Sequence, residues 1–220
     1  HFSMKTLRII FFAVFFVGFL IPHASAQKQV VNKDFRFTVK TNPLAALGGP
    51  FWVTIVPITG EYKINFEVAT TKKQSFQLGA SYLGPSVLIN LEEISSSSEE
   101  EVGGVKINGF RLQGTYKFFV TRNTTSPEGF YVGPYFSYAS MKMENKDFTE
   151  DNVSGKKITY DAVLGYQLIT EGGFTMDVFT GFGLRTLKWD YEDEDVTTFE
   201  VFKSKNAGHV ALGFSFGFAF

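Results

Sequence analysis

The chain of 220 residues contains no cysteine, which excludes disulfides, thiolate metal sites and a lipidated cysteine anchor. Histidine is scarce, and His209 is the only one beyond residue 26. A net charge of −1 provides no electrostatic drive toward nucleic acid. The long apolar run, residues 9–21, has only thirteen residues, short of the about 20 that a helical span needs. Mean hydropathy is +0.01. That value does not argue against a membrane protein, because barrel strands alternate apolar and polar residues and average out.

Phenylalanine (26) and glycine (21) are abundant instead. Their arrangement is clearest in residues 209–220, HVALGFSFGFAF. Val210, Leu212, Phe214, Phe216, Phe218 and Phe220 share one parity, while His209, Ala211, Gly213, Ser215, Gly217 and Ala219 share the other. Side chains alternate across a strand, so this segment has one apolar face and one small or polar face. A strand facing lipid outside and a crowded lumen inside needs that pattern.

The front of the chain agrees. Lys5 and Arg8 precede the apolar run, and Ala24-Ser25-Ala26 follows it. These features predict a secretory signal peptide within residues 1–26, cleaved between Ala26 and Gln27, and a single barrel domain over 27–220. Removing the leader takes away Lys5 and Arg8 and no acid, moving the net charge from −1 to −3. His1, Phe2 and Ser3 precede Met4 and play no part in the fold reading.

Eight segments carry the two-face pattern: 34–43, 53–68, 74–83, 105–120, 129–141, 156–169, 174–187 and 209–220. After a first loop at 44–52, the connections alternate. Short ones at 70–73, 121–128 and 171–173 separate longer ones at 90–104, 144–155 and 189–206. Glu171-Gly172-Gly173 reads as the tightest turn. Short periplasmic turns, longer outer loops and an even strand number are the marks of an outer-membrane barrel. The expected fold is all-β: an eight-stranded antiparallel up-and-down transmembrane β-barrel. Ten strands are the alternative if 195–205 forms its own hairpin.

The inward parity collects Arg36, Lys40, Lys63, Arg111, Lys117 and Arg185 against Glu61, Asp161 and Asp177. An eight-stranded barrel is just wide enough for side chains to fill, and charges there must pair or suffer desolvation. A polar lumen network is therefore expected, with some basic excess left for water. The competing functional reading is a narrow anion-preferring path. Trp52, Trp189 and Tyr191 are expected to form an aromatic girdle near the outer loops. The acidic stretches at 95–101 and 192–195 lack the ligand spacing of a calcium loop. Two sequons, at Asn123 and Asn152, read as chance matches. No catalytic residue, cofactor or metal is predicted.

With leader, strands, girdle and terminal aromatic in place, the chain resembles the small bacterial outer-membrane β-barrel family of the OmpA-like and OmpX-like kind. The stretch KTNPLAALGGP followed by TGEYKI is similar to the start of Bacteroidetes-type members. Unlike full-length OmpA-type proteins, the sequence ends at the barrel, so no peptidoglycan-binding domain and no cell-wall tether is expected. The resemblance implies residence in the outer membrane of a Gram-negative bacterium. The implied partners are outer-membrane lipid, with barrel-insertion machinery and periplasmic chaperones during biogenesis. The resemblance also implies that Phe214, Phe216, Phe218 and Phe220 mark the membrane-insertion strand, whose terminal aromatic is read by that machinery.

Three functions compete. The first is a non-enzymatic barrel with a structural, loop-mediated binding or weak porin-like role; the sequence names no loop partner. The second is a membrane-embedded lipid-modifying enzyme. It needs a nucleophile beside a base, yet Ser215 and His209 lie six residues apart, roughly 20 Å along a strand. The third is a soluble lipocalin-like binding protein, which requires the apolar face inside.

Overall fold

A computed structural model describes residues 35–47, 59–85, 105–122, 124–145, 153–191 and 205–220. The signal-peptide reading, Trp52, and most of the long loops lie outside the described residues.

Eight strands follow in chain order: β1 (Phe37–Thr41), β2 (Thr59–Thr71), β3 (Gln74–Pro85), β4 (Val105–Phe119), β5 (Gly129–Asn145), β6 (Val153–Ile169), β7 (Phe174–Tyr191) and β8 (Lys205–Ala219). A short 3₁₀ helix, Pro43–Leu47, follows β1. Every strand pairs antiparallel with its sequence neighbour, and β1 closes the sheet against β8. Thr38 pairs with Ala219 and Thr41 with Phe216 in that seam. The expected all-β, eight-stranded up-and-down barrel is what the chain forms. The ten-strand alternative rested on a hairpin outside the described residues, and the barrel closes without it.

One end of the barrel carries the short connections and is the turn end; the other is the loop end. The two-residue Lys72–Lys73 connection between β2 and β3 is tighter than the Thr170–Gly173 link between β6 and β7, which corrects the expectation for Glu171-Gly172-Gly173. Two glycines in that longer turn misled the reading. Gly173 is there because its φ is +84°, a conformation open to glycine but costly for other residues. The β2–β3 and β4–β5 turns are tied together. Lys73 Nζ donates to the Thr124 carbonyl at 2.7 Å, and the Ser126 N–H donates to the Lys72 carbonyl at 2.8 Å.

The strands are unequal, with 5 residues in β1 against 17 or 18 in β5, β6 and β7. The sequence boundaries for β5–β7 stopped short at the loop end. Those additional residues form a tall wall whose inner face changes character. Leu83, Ile107, Ala139, Met141, Met143, Leu187 and Trp189 pack there as a buried apolar layer. Small residues make space for the larger lumen side chains. A Cβ on Gly165 would collide with the Tyr131 ring, and one on Gly213 with the Phe179 ring.

Candidate functional site in the barrel lumen

Polar and charged side chains of alternate residues occupy two levels inside the barrel. At the turn end, period-2 alternation brings Lys40 (β1), Glu67 (β2), Lys117 (β4), Gln167 (β6) and Asp177 (β7) to one point. Lys40 Nζ lies 2.6 Å from Glu67 Oε2, 2.8 Å from Asp177 Oδ2 and 2.9 Å from Gln167 Oε1. Lys117 Nζ meets the same three groups at 3.3, 2.6 and 2.7 Å. Tyr131 Oη donates to Asp177 Oδ1 at 2.7 Å, and the Ser75 hydroxyl donates to Glu67. Lys117 also sits 4.5 Å above the Tyr131 ring, a cation–π contact.

Two cations and two anions cancel in this quartet, and water reaches 0–2% of each side chain. Taking such ions from water costs several kcal/mol each, and only close, multiply hydrogen-bonded partners offset that cost. The quartet has both.

The level nearer the loops is looser. Arg111 (β4) donates from Nη1 to Glu61 Oε2 (β2) at 2.9 Å, from Nε to Ser137 Oγ at 2.7 Å, and to the Tyr135 hydroxyl. Ser81 donates to Glu61 Oε1 at 2.6 Å. Across the lumen, His209 Nδ1 lies 3.1 Å from Asp161 Oδ1. Between the two levels Gln113 Nε2 donates to Asn65 Oδ1 at 2.7 Å, and Gln113 Oε1 accepts from the Tyr135 hydroxyl at 2.9 Å. Lys157 lies in electrostatic range of Asp161 and Glu61, and also of Arg111 and Arg185.

The nine residues read from the sequence are thus divided. Lys40, Lys117 and Asp177 meet in the quartet. Glu61 and Arg111 pair at the looser level, where Asp161 meets His209. Lys63 and Arg185 point inward there but make no ion pair among the described residues. Arg36 is exposed at the turn-end rim, where its backbone N–H bonds the Phe220 carbonyl at 2.8 Å; it is not part of the buried network.

Sequence reasoning missed Glu67, the anion shared by both lysines, and also Lys157. The uncharged Gln167, Tyr131 and Tyr135 have the inward parity that the pattern gives them, and the structure adds them to the network. Continuing the parity of Glu61, Lys63 and Asn65 by two residues would have reached Glu67.

The girdle reading needs correction. Trp189 is buried inside the barrel, in the apolar layer, because it shares the parity of Arg185 and Leu187. The Tyr191 side chain, like Trp52, lies outside what is described. Aromatic pairs on the outward parity lie elsewhere, toward both ends of the barrel. Near the loop end, Tyr62 stacks on Tyr82 with centroids 6.2 Å apart, Phe110 meets Tyr138 at 5.9 Å, and Phe136 meets Tyr160 at 5.2 Å. Near the turn end, Phe76 meets Tyr116 at 6.5 Å, Phe130 meets Tyr166 at 4.6 Å, and Phe174 meets Phe218 at 6.0 Å. Between these pairs lie exposed aliphatics such as Leu78, Leu112, Leu164 and Leu212. Phe214, Phe216, Phe218 and Phe220 have outward parity on or just after β8.

The site and fold together define a closed barrel with a charged interior and an apolar exterior. No protein-family model, curated protein or solved structure matches the chain.

Proposed function

We propose that this chain is a non-enzymatic integral outer-membrane β-barrel protein that acts as a structural or loop-presenting element rather than an open pore. The exterior carries this reading. Leu212 is 79% exposed and Phe182 75%, among many large apolar side chains on the outward parity of β2–β8. A soluble protein rarely exposes contiguous apolar patches beyond a few hundred Å², whereas a barrel in lipid needs such a band between aromatic rings. A membrane strand takes about 9–11 residues, so 17 or 18 in β5–β7 leave a wall to project beyond the bilayer at the loop end. The polarity is opposite to that of a lipocalin-like binder, which would hold its apolar face inside.

The dry quartet at the turn end argues for a closed lumen. Refolded into planar bilayers, the barrel is expected to give no steady conductance. Stepwise currents that change with Lys63→Gln and Arg111→Gln would replace this reading with a pore. Recovery of the full-length chain in the aqueous fraction without detergent would overturn the membrane assignment.

The Asp161–His209 contact favours a second reading, a membrane-embedded lipid-modifying enzyme, since a carboxylate orienting an imidazole is half of a nucleophile-activating unit. Ser215 is not its partner; it pairs in register with Asp177, three rows from His209 opposite Gly183. A His209→Ala strain with altered lipid acylation would establish this reading, and unchanged lipid would remove it.

A further inference from the structure

The outer wall of β5–β7 changes character in successive rows toward the loop end. Phe136, Tyr160 and Leu184 lie side by side in one row, followed by Tyr138, Ile158 and Thr186. The next row holds Ser140, Lys156 and Lys188, and the one after it Lys142, Ser154 and Asp190. All have outward parity, and Lys142, Lys156 and Lys188 are exposed.

Lys156 and Lys188 are direct cross-strand partners, and Lys142 is diagonal to Lys156. Like charges directly opposite each other on a sheet are destabilising. Among the described side chains on this face, Asp190 is the single carboxylate. It approaches Lys156 only to 3.7 Å, with both side chains more than half exposed, and such contacts contribute little. The sheet therefore holds three ammonium groups within one small patch, in the first and second rows beyond the edge of its apolar band.

We propose that Lys142, Lys156 and Lys188 form a binding site for the headgroup phosphate of an anionic membrane lipid, whose acyl chains lie along Tyr138, Ile158 and Tyr160. Continuity with the apolar face argues for lipid over a free anion, because a phosphate on an acyl anchor reaches these rows with its chains on the rows below. Lysine donates from a mobile ammonium and suits a phosphate that arrives in varied orientations. The proposal rests on the membrane reading above.

The test uses the refolded mature barrel in phosphatidylcholine vesicles with and without phosphatidylglycerol, and spin-labelled lipids to measure which headgroup the protein surface prefers. Wild type is expected to favour the anionic lipid at least about fivefold, the gain that a single lysine near an anionic surface gives. The Lys142→Gln/Lys156→Gln/Lys188→Gln variant should lose the preference, and the corresponding triple arginine variant should keep it.

A change of sign provides an independent check. In phosphatidylcholine alone, Lys188→Gln should unfold at the same or higher temperature than wild type, because it removes the like-charge pair. With phosphatidylglycerol it should unfold at a lower one. Equal preference in wild type and the glutamine variant would overturn the proposal, as would Lys188→Gln being less stable in both vesicles. Inorganic phosphate abolishing the preference at low millimolar concentration would overturn the lipid as its source. A chain that never enters vesicles would overturn the membrane reading and this site together, whereas insertion without headgroup preference would overturn this site alone.

Discussion

The two charged levels of the lumen are built from the same residue types on the same strands, yet they solve different problems. At the turn end, Lys40 and Lys117 face Glu67 and Asp177 in equal number and out of reach of water. Nearer the loops, Glu61 faces Arg111 and Asp161 faces His209, and the side chains of Arg111 and His209 each keep 16% of their surface exposed. Lys63 and Arg185 add positive charge to that level without an ion pair among the described residues. Dry charges must balance because nothing else screens them; hydrated ones tolerate a surplus. The difference makes the turn end a structural lock and leaves the looser level free to vary.

The strongest way to break this contrast is to remove one anion from each level. Glu67→Ala leaves two buried ammonium groups to share one carboxylate, Asp177, and is expected to cost about 3–5 kcal/mol. Glu61→Gln should cost about 1.5–3 kcal/mol, the range for hydrogen bonds to charged groups. Denaturant unfolding in vesicles, followed by the loss of the heat-modifiable band on gels, measures both; equal losses would erase the distinction.

Packing around the lock gives a smaller effect. Gly165→Ala would drive a methyl group into the Tyr131 ring and push its hydroxyl from Asp177, with an expected loss of about 1–3 kcal/mol for overpacking. Gly172→Ala, with open space around its Cβ position, is the control and should leave the unfolding midpoint unchanged. Comparable losses at the two glycines would show that backbone freedom, rather than the ring contact, sets the cost.

Arg111→Gln sharpens the comparison from the other side. It leaves Glu61 its Ser81 hydrogen bond and the nearby charge of Lys63, so the expected loss is about 1.5–3 kcal/mol. Lys117→Met, which leaves the dry quartet with one cation against two anions, should cost more. Measured in parallel, a larger loss for Arg111→Gln would reverse the assignment of the lock.

The smallest effect lies in the β4–β5 turn. Burial pushes the Glu128 carboxyl above its ordinary pKa, so the charged form is penalised in the folded state. That penalty is absent below the carboxylate range and grows as pH rises through it. Glu128→Gln is therefore expected to stabilise slightly at pH 7 and to lose its advantage in acid. Urea midpoints at the two pH values check the sign.

Much of this arrangement is legible in one dimension because a strand has a period of two. Alternation alone assigned Lys40, Lys117 and Asp177 to the inside and the phenylalanines of β8 to the outside. It faltered where a strand was ended too soon. Stopping β7 at Leu187 left Trp189 without a parity, and an aromatic residue near a loop was read as girdle when the next inward position was waiting for it. Stopping the polar face of β2 at Asn65 hid Glu67. The outward aromatic pairs, among them Tyr62–Tyr82 and Phe130–Tyr166, join residues on different strands, and only register puts them beside each other.

The sequence by itself determined that the chain is a succession of two-faced strands, the alternation of short and long connections between them, and which face of each strand is apolar. All three follow from local periodicity and from the length of each connection. Closure at eight strands rather than ten came from the pairing of β1 with β8. Tertiary structure decided which charges meet. Lys40 finds Asp177 across 137 positions, and their meeting depends on barrel closure and register, which no local pattern records. It also decided that the lumen has a dry, neutral level and a wetter, basic one. Charge balance inside a barrel is a property of cross-sections, and a cross-section takes one or two residues from each strand.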